Sequence, residues 1–219
     1  MSKVFTFSLQ GADLSTRIPK AKAAMRKEPS QSRSKATVEA IIEAATRILS
    51  VEGWAGFNTN KVAEAAGVSI GSLYQYFPSK LSLVEAIRRR HIEDCLGVMK
   101  RAGKSGRPLA QFVADLVRDL IAVHSLHPGL HRVLLDDAPS ADAFRDPHDA
   151  FEVDYLASYT AVVRHYRQGK TGSSDEAVAM TLSDAIDGVI HNAARRGTLQ
   201  NPEVGAELVR LVTSYLAAE

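Results

Sequence analysis

A chain of 219 residues with 45% apolar and 24% charged residues has the composition of a folded globular protein, and 27 Lys plus Arg against 25 Asp plus Glu leave a formal charge of only +2. That composition excludes wholesale disorder. It also excludes a transmembrane span, because the longest stretch free of charged residues, Ala65 to Ser79, falls short of the ~20 apolar residues a membrane helix needs and contains Gly, Ser, Gln and Pro.

Ala is frequent and apolar residues recur at helical rather than alternating spacing, so the fold class expected is all-α, with about nine helices. Residues 1 to 30 show no apolar stripe and scattered Lys and Arg, and read as a partly disordered basic extension. The segment Val4 to Leu9 is too short and too mixed for a secretory signal. A single cysteine, Cys95, fits a reducing compartment, so a cytoplasmic protein is expected.

Val38, Ile41, Ile42, Ala45, Ile48 and Leu49 share one face of a first helix that Gly53 should end. Thr59 or Asn60 is placed to cap a short second helix closed by Gly67, and Ser69 to cap a third that runs to Phe77. Val84, Ile87, His91, Cys95 and Val98 carry a long fourth helix to about Arg101. Pro108 starts a fifth with Leu109, Phe112, Val113, Leu116, Leu120 and Val123. Phe151, Tyr155, Val162 and Tyr166 mark another. Two final stripes, Val178, Leu182, Ile186, Val189 and Leu208, Leu211, Val212, Tyr215, read as antiparallel neighbours, and these residues are the expected interface of a homodimer.

Two short helices joined by a Gly turn, with small residues at the joint, form the layout of a helix-turn-helix DNA reader. Here the segment is Lys61-Val-Ala-Glu-Ala-Ala-Gly67-Val-Ser69-Ile-Gly-Ser-Leu-Tyr-Gln-Tyr-Phe77, and neither Asp nor Glu lies between Ala65 and Ser79 to repel phosphate. Leu73 and Phe77 are expected in the small core. Ser69, Ile70, Gly71, Ser72, Tyr74, Gln75 and Tyr76 belong to the reading helix. Arg33 and Lys35, ahead of the first helix, are placed for arm contacts to the backbone or minor groove.

From Ala36 to about Leu83, the amphipathic first helix, the Thr opening the second, Ala-Gly-Val-Ser at the turn, Gly-Ser-Leu-Tyr-Gln-Tyr-Phe and the Lys beginning the fourth helix resemble the DNA-binding domain of the TetR family of transcriptional regulators. The resemblance implies phosphate contacts from Thr59, Asn60, Lys61, Tyr76 and Lys80, and major-groove contacts from Ile70, Gly71, Ser72, Tyr74 and Gln75. Residue chemistry agrees, since Gln pairs with adenine edges and Ile70 suits a thymine methyl. It implies a helix-turn-helix domain at residues 31 to 80 and a helical effector-binding and dimerisation domain at 81 to 219. The partners implied are operator DNA, a small-molecule effector and a second copy of the chain; the activity implied is transcriptional repression, not catalysis. Met99, Phe112, Leu116, His124, Tyr155 and Tyr159 are the candidate effector-site residues, suited to a largely apolar ligand.

His124, His127 and His131 are spaced to share a helix face, and open the alternative of a metal-dependent enzyme; an adaptor using the helix-turn-helix for protein contact is a second alternative. Pro128 interrupts that face, and without a nucleophile motif or phosphate loop the expectation is no metal, no cofactor and no catalysis. The Arg88 to Arg90 run is expected to be solvated or paired with Glu85, Glu93 and Asp94. Charge supports a division of labour: the first 101 residues hold 16 basic and 9 acidic side chains, a balance of +7, and residues 102 to 219 hold 11 and 16, a balance of −5.

Overall fold

The apolar stripes of the sequence become helices packed into two separate cores in the computed structural model, which describes residues 32–102, 106–138, 150–167 and 172–217. The basic extension expected over residues 1 to 30 lies outside them. Among the described residues every regular element is helical, and no helix is long and apolar enough to cross a membrane.

Helix α1 (Ser32–Gly56) buries Val38, Ile41, Ile42, Ala45, Ile48 and Leu49, the face expected. It begins at Ser32, so Arg33 and Lys35 lie exposed in its first turn and are helical, not a preceding arm. At Gly53 the backbone takes φ 68°, a left-handed conformation cheap only for glycine; the helix breaks there and one more turn follows. Helix α2 (Thr59–Ala65) is capped by Asn58, one residue ahead of the two candidates, whose side-chain oxygen accepts the Lys61 N–H at 3.0 Å. Gly67, at φ 68°, makes the turn. Ser69 then caps helix α3 (Ile70–Tyr76), accepting the Ser72 N–H at 3.0 Å.

Helix α4 (Lys80–Ala102) opens on a reciprocal box in which the Ser82 N–H donates to Ser79 Oγ at 3.2 Å and the Ser79 N–H to Ser82 Oγ at 3.1 Å. Helix α5 (Leu109–Ser125) and helix α6 (Leu130–Arg132), which continues as a π-helical turn over Val133–Asp137, are followed by α7 (Ala150–Tyr166). Helix α8 (Asp175–Arg196) runs from a Ser174 cap to Gly197, and α9 (Pro202–Ala217) follows.

One core unites α1, α2 and α3 with Leu83, Val84 and Ile87 of α4, and it also takes in Leu130 and Val133 from α6 and the turn after it. The other joins the far half of α4 to α5, α7, α8 and α9. Helix α4 thus belongs to both. The expected dimer stripes are mostly consumed here: Val178, Leu182, Ile186, Leu208 and Val212 are buried in the second core of their own chain. Val189, Leu211 and Tyr215 are exposed, and border an open groove between α8 and α9. An apolar stripe tells that a face is covered, but not by which neighbour.

Candidate functional site

The helix-turn-helix expected from the sequence, the candidate DNA reader, is built on α2 and α3. Leu73 and Phe77 are fully buried beneath α3, which fixes its opposite face outward: Ile70, Gly71, Tyr74 and Gln75 are exposed. Tyr74 and Thr59 share a hydroxyl–hydroxyl hydrogen bond of 3.0 Å that ties the reading helix to the start of α2. Ser69 and Ser72 are joined through their hydroxyls at 2.8 Å, so both serve the cap. Tyr76 is half-buried against the reader core, and Asn60 is exposed.

Two expected phosphate contacts are otherwise engaged. Lys61 forms an ion pair with Glu52. Lys80 turns inward: its Nζ donates to the Trp54 carbonyl at 2.7 Å and sits 3.6 Å from the Trp54 ring centroid, and burial lowers its pKa. A cation at the frayed carbonyl end of a helix and over an indole face is favourable on both counts, so Lys80 clamps the broken end of α1 to α4. In the Arg run, Arg88 approaches Glu85 at 4.0 Å as expected. Arg90 instead reaches across to α1, 3.4 Å from both Glu39 and Glu43.

The second site lies where the two cores meet. A cavity of about 410 Å³ is lined by His91 and Cys95 of α4, His124 of α5, Tyr155 of α7, and Asp187 and His191 of α8, among others. Of the six candidate effector residues only His124 and Tyr155 line it; Met99, Phe112, Leu116 and Tyr159 are packed in the second core. The lining is more polar than expected. The Tyr155 hydroxyl donates to Asp187 Oδ1 at 3.1 Å, and burial raises Asp187 to about 6 and the Cys95 thiol to about 12.

Four imidazoles, His91, His124, His131 and His191, converge at this junction, with one nitrogen from each within 4.8 Å of the others. Two of them, His124 and His131, belong to the set grouped by sequence spacing. His127 stands apart, 3.9 Å from Glu43, because the chain leaves the helix after Ser125. His91 and His191 arrive from distant helices; the available signal for the first was a histidine interrupting the apolar stripe of α4. Burial pushes His91 down to about 3, His131 to about 2 and His191 to about 4, with smaller contributions from the neighbouring rings.

A direct stability consequence follows. Below an unfolded-state value near 6.5 the unfolded chain takes up protons that these buried rings refuse, so stability is complete above about pH 6.5 and is lost as pH falls. Asp187, raised in the fold, works the other way and regains part of the loss as pH drops through about 6. From pH 7 to 5.5 the three imidazoles together cost about 4 kcal/mol, Asp187 returns about 1, and the net loss is roughly 3 kcal/mol. Urea unfolding at the two pH values, with a chelator present, checks this; an unchanged midpoint contradicts it.

Comparison with known proteins agrees with both halves. The family model for bacterial regulatory proteins of the tetR family matches residues 41–87, and that for the tetracyclin repressor-like C-terminal domain matches residues 108–216. The chain belongs to the TetR family. It is therefore a TetR-family transcriptional regulator in fold and class. The nucleoid occlusion factor SlmA of Actinobacillus pleuropneumoniae serotype 5b is 32% identical over 89 residues, 41% of this chain and 44% of that protein, so the match spans less than half of the relative. The HTH-type transcriptional repressor KstR of Mycolicibacterium smegmatis is 28% identical over 146 residues, 66% of this chain and 70% of that one. Among solved structures, the transcriptional regulator FadR from Bacillus subtilis, crystallised with stearoyl-CoA, superposes with a TM-score of 0.67 at 17% identity, covering 83% of this chain and 99% of FadR. That likeness shows a shared fold.

Proposed function

We propose that this regulator is a homodimeric repressor which binds a palindromic operator through α3 and releases it when a small molecule enters the cavity between α4, α5, α7 and α8. The observation that carries the reading is the double membership of α4. It packs Leu83, Val84 and Ile87 into the reader core and, on the same continuous helix, presents His91 and Cys95 to the cavity. A ligand that shifts α4 therefore shifts the reader, and a coupling of ~1–3 kcal/mol changes operator affinity about 5- to 150-fold.

Ile70, Gly71, Tyr74 and Gln75 face the major groove in this reading, with Thr59, Asn60, Arg33 and Lys35 toward the backbone. Two copies joined through the open α8–α9 groove, at Val189, Leu211 and Tyr215, place their reading helices about one turn of duplex, ~34 Å, apart. The mixed lining suits an effector with an apolar body and a hydrogen-bonding head directed at Asp187 and Tyr155.

Selection of a bound sequence from a random duplex library tests the proposal. A two-fold symmetric sequence is expected, bound in a salt-sensitive way, and Gln75→Ala should change its base preference by about 1–3 kcal/mol at one position while leaving the rest of the sequence intact. Recovery of no preferred duplex removes the operator, and a monomer by sedimentation in the presence of the selected duplex removes the dimer.

A further inference from the structure

The convergence of four histidines at the junction of the two cores has a chemistry of its own, apart from operator binding. We propose that His91, His124, His131 and His191 bind one divalent first-row transition cation per protomer, Zn²⁺ or a nitrogen-preferring neighbour such as Co²⁺ or Ni²⁺.

Several independent features of the geometry support this. The site supplies four imidazoles, the ligand count of a closed tetrahedral site, and imidazole selects these cations over Mg²⁺ and Ca²⁺, which want oxygen. A tetrahedral cation with bonds of about 2.0–2.1 Å sets its ligand nitrogens roughly 3.3 Å apart and its ring centroids about 5 Å apart. His124 Nε2 and His191 Nε2 are 3.3 Å apart. Five of the six ring pairs have centroids 4.6–5.2 Å apart, and the sixth, His91 to His191, is at 6.5 Å. His91 is the outlying ring, its Nε2 lying 3.7 Å from Cys95 Sγ, and cation binding would draw it toward the other three.

The outer shell also fits. His124 Nδ1 lies 2.8 Å from the Leu120 carbonyl, which only accepts; Nδ1 therefore carries the proton and donates, and Nε2 turns a bare lone pair toward the other rings. Access is provided by the cavity, which three of the four line. The four ligands come from α4, α5, α6 and α8, so one cation pins together elements from both sides of the core boundary. His131 adjoins Leu130, which sits in the reader core.

The test uses the full-length chain after chelator treatment and dialysis, titrated with Co²⁺ alone and then with Zn²⁺. Expected are one Co²⁺ per protomer, the intense visible absorption of a tetrahedral nitrogen site, displacement of that band by Zn²⁺, and a melting temperature raised by either ion. His131→Asn and His191→Asn should each weaken binding by at least about tenfold, whereas His127→Asn, outside the cluster, should bind as the unaltered chain does. Circular dichroism shows whether each variant is folded, and the absorption of the unaltered chain decides independently of all of them. Octahedral-type absorption, substoichiometric binding, or equal binding by the folded His131→Asn and His191→Asn chains overturns the proposal. Since cation binding is read without DNA, a chain that binds its selected duplex but no cation loses this site alone, and one that binds cation but no duplex loses the operator alone.

Discussion

Replacing Phe77 with alanine is expected to unfold the DNA-reading half of the molecule well before the rest. Phe77 is fully buried, ends α3 with its N–H donating to the Leu73 carbonyl at 2.9 Å, and fills the core that α1, α2 and α4 share. Removing a buried phenyl ring costs about 3–5 kcal/mol, because both transfer energy and the contacts around the cavity are lost. Leu73, Val62 and Leu83 of the same core are fully buried around it and cannot fill the space without moving their helices. Trp54, the chain's single tryptophan, packs against the same core and near Phe57, with ring centroids 6.4 Å apart. Its fluorescence therefore reports the reader, while far-UV circular dichroism reports every helix. In urea the fluorescence transition of Phe77→Ala should move to much lower denaturant than the main helical transition, and operator binding should disappear with it. A coincident shift of both signals by less than about 1 kcal/mol would mean the reader has no separate stability.

The parts of this molecule legible in the sequence are those governed by neighbours a few residues away. The α1 stripe and the turn at Gly67 are set by 3.6-residue periodicity and by the freedom of glycine at positive φ, both local. The α2 cap falls one residue ahead of Thr59 because Asn58, Thr59 and Asn60 are all competent caps, and Asn58 is the one whose backbone is extended and whose side chain accepts the Lys61 N–H. Lys80 reads as a free cation at a helix start, yet the broken end of α1 lies beside it in space and takes its charge. The histidines make the same point more sharply. Counting along the chain groups His127 with His124 and His131, whereas folding exchanges His127 for His91 and His191. Spacing assumes one continuous helix, and α5 ends at Ser125.

Besides the continuous helix α4, the two halves are joined by a close approach of α6 to α1, and Gly129→Val is expected to break it. A Cβ added at Gly129 would stand 2.1 Å from the Ser50 carbonyl oxygen of α1, far inside van der Waals contact and against backbone that has no rotamer to yield. The φ of Gly129 is −75°, so the demand for glycine here is one of space, not of conformation. A branched side chain must push α6 off α1, withdrawing Leu130 and Val133 from the reader core and lengthening the 3.2 Å hydrogen bond from Arg88 to the Leu134 carbonyl. Forced overpacking of this kind costs about 3 kcal/mol or more at a rigid site. Adding a Cβ elsewhere has the opposite sign: Gly205→Ala in α9 meets only the Ile121 Cδ1 at 3.5 Å, an ordinary contact, and should gain about 0.5–1 kcal/mol from helix propensity. In the proposed repressor, operator affinity read by fluorescence anisotropy should fall at least about fivefold in Gly129→Val, with the proposed dimerisation through the α8–α9 groove unaffected. If Gly129→Val melts, dimerises and binds its duplex as the unaltered chain does, α6 does not transmit between the halves, and α4 alone must carry the signal.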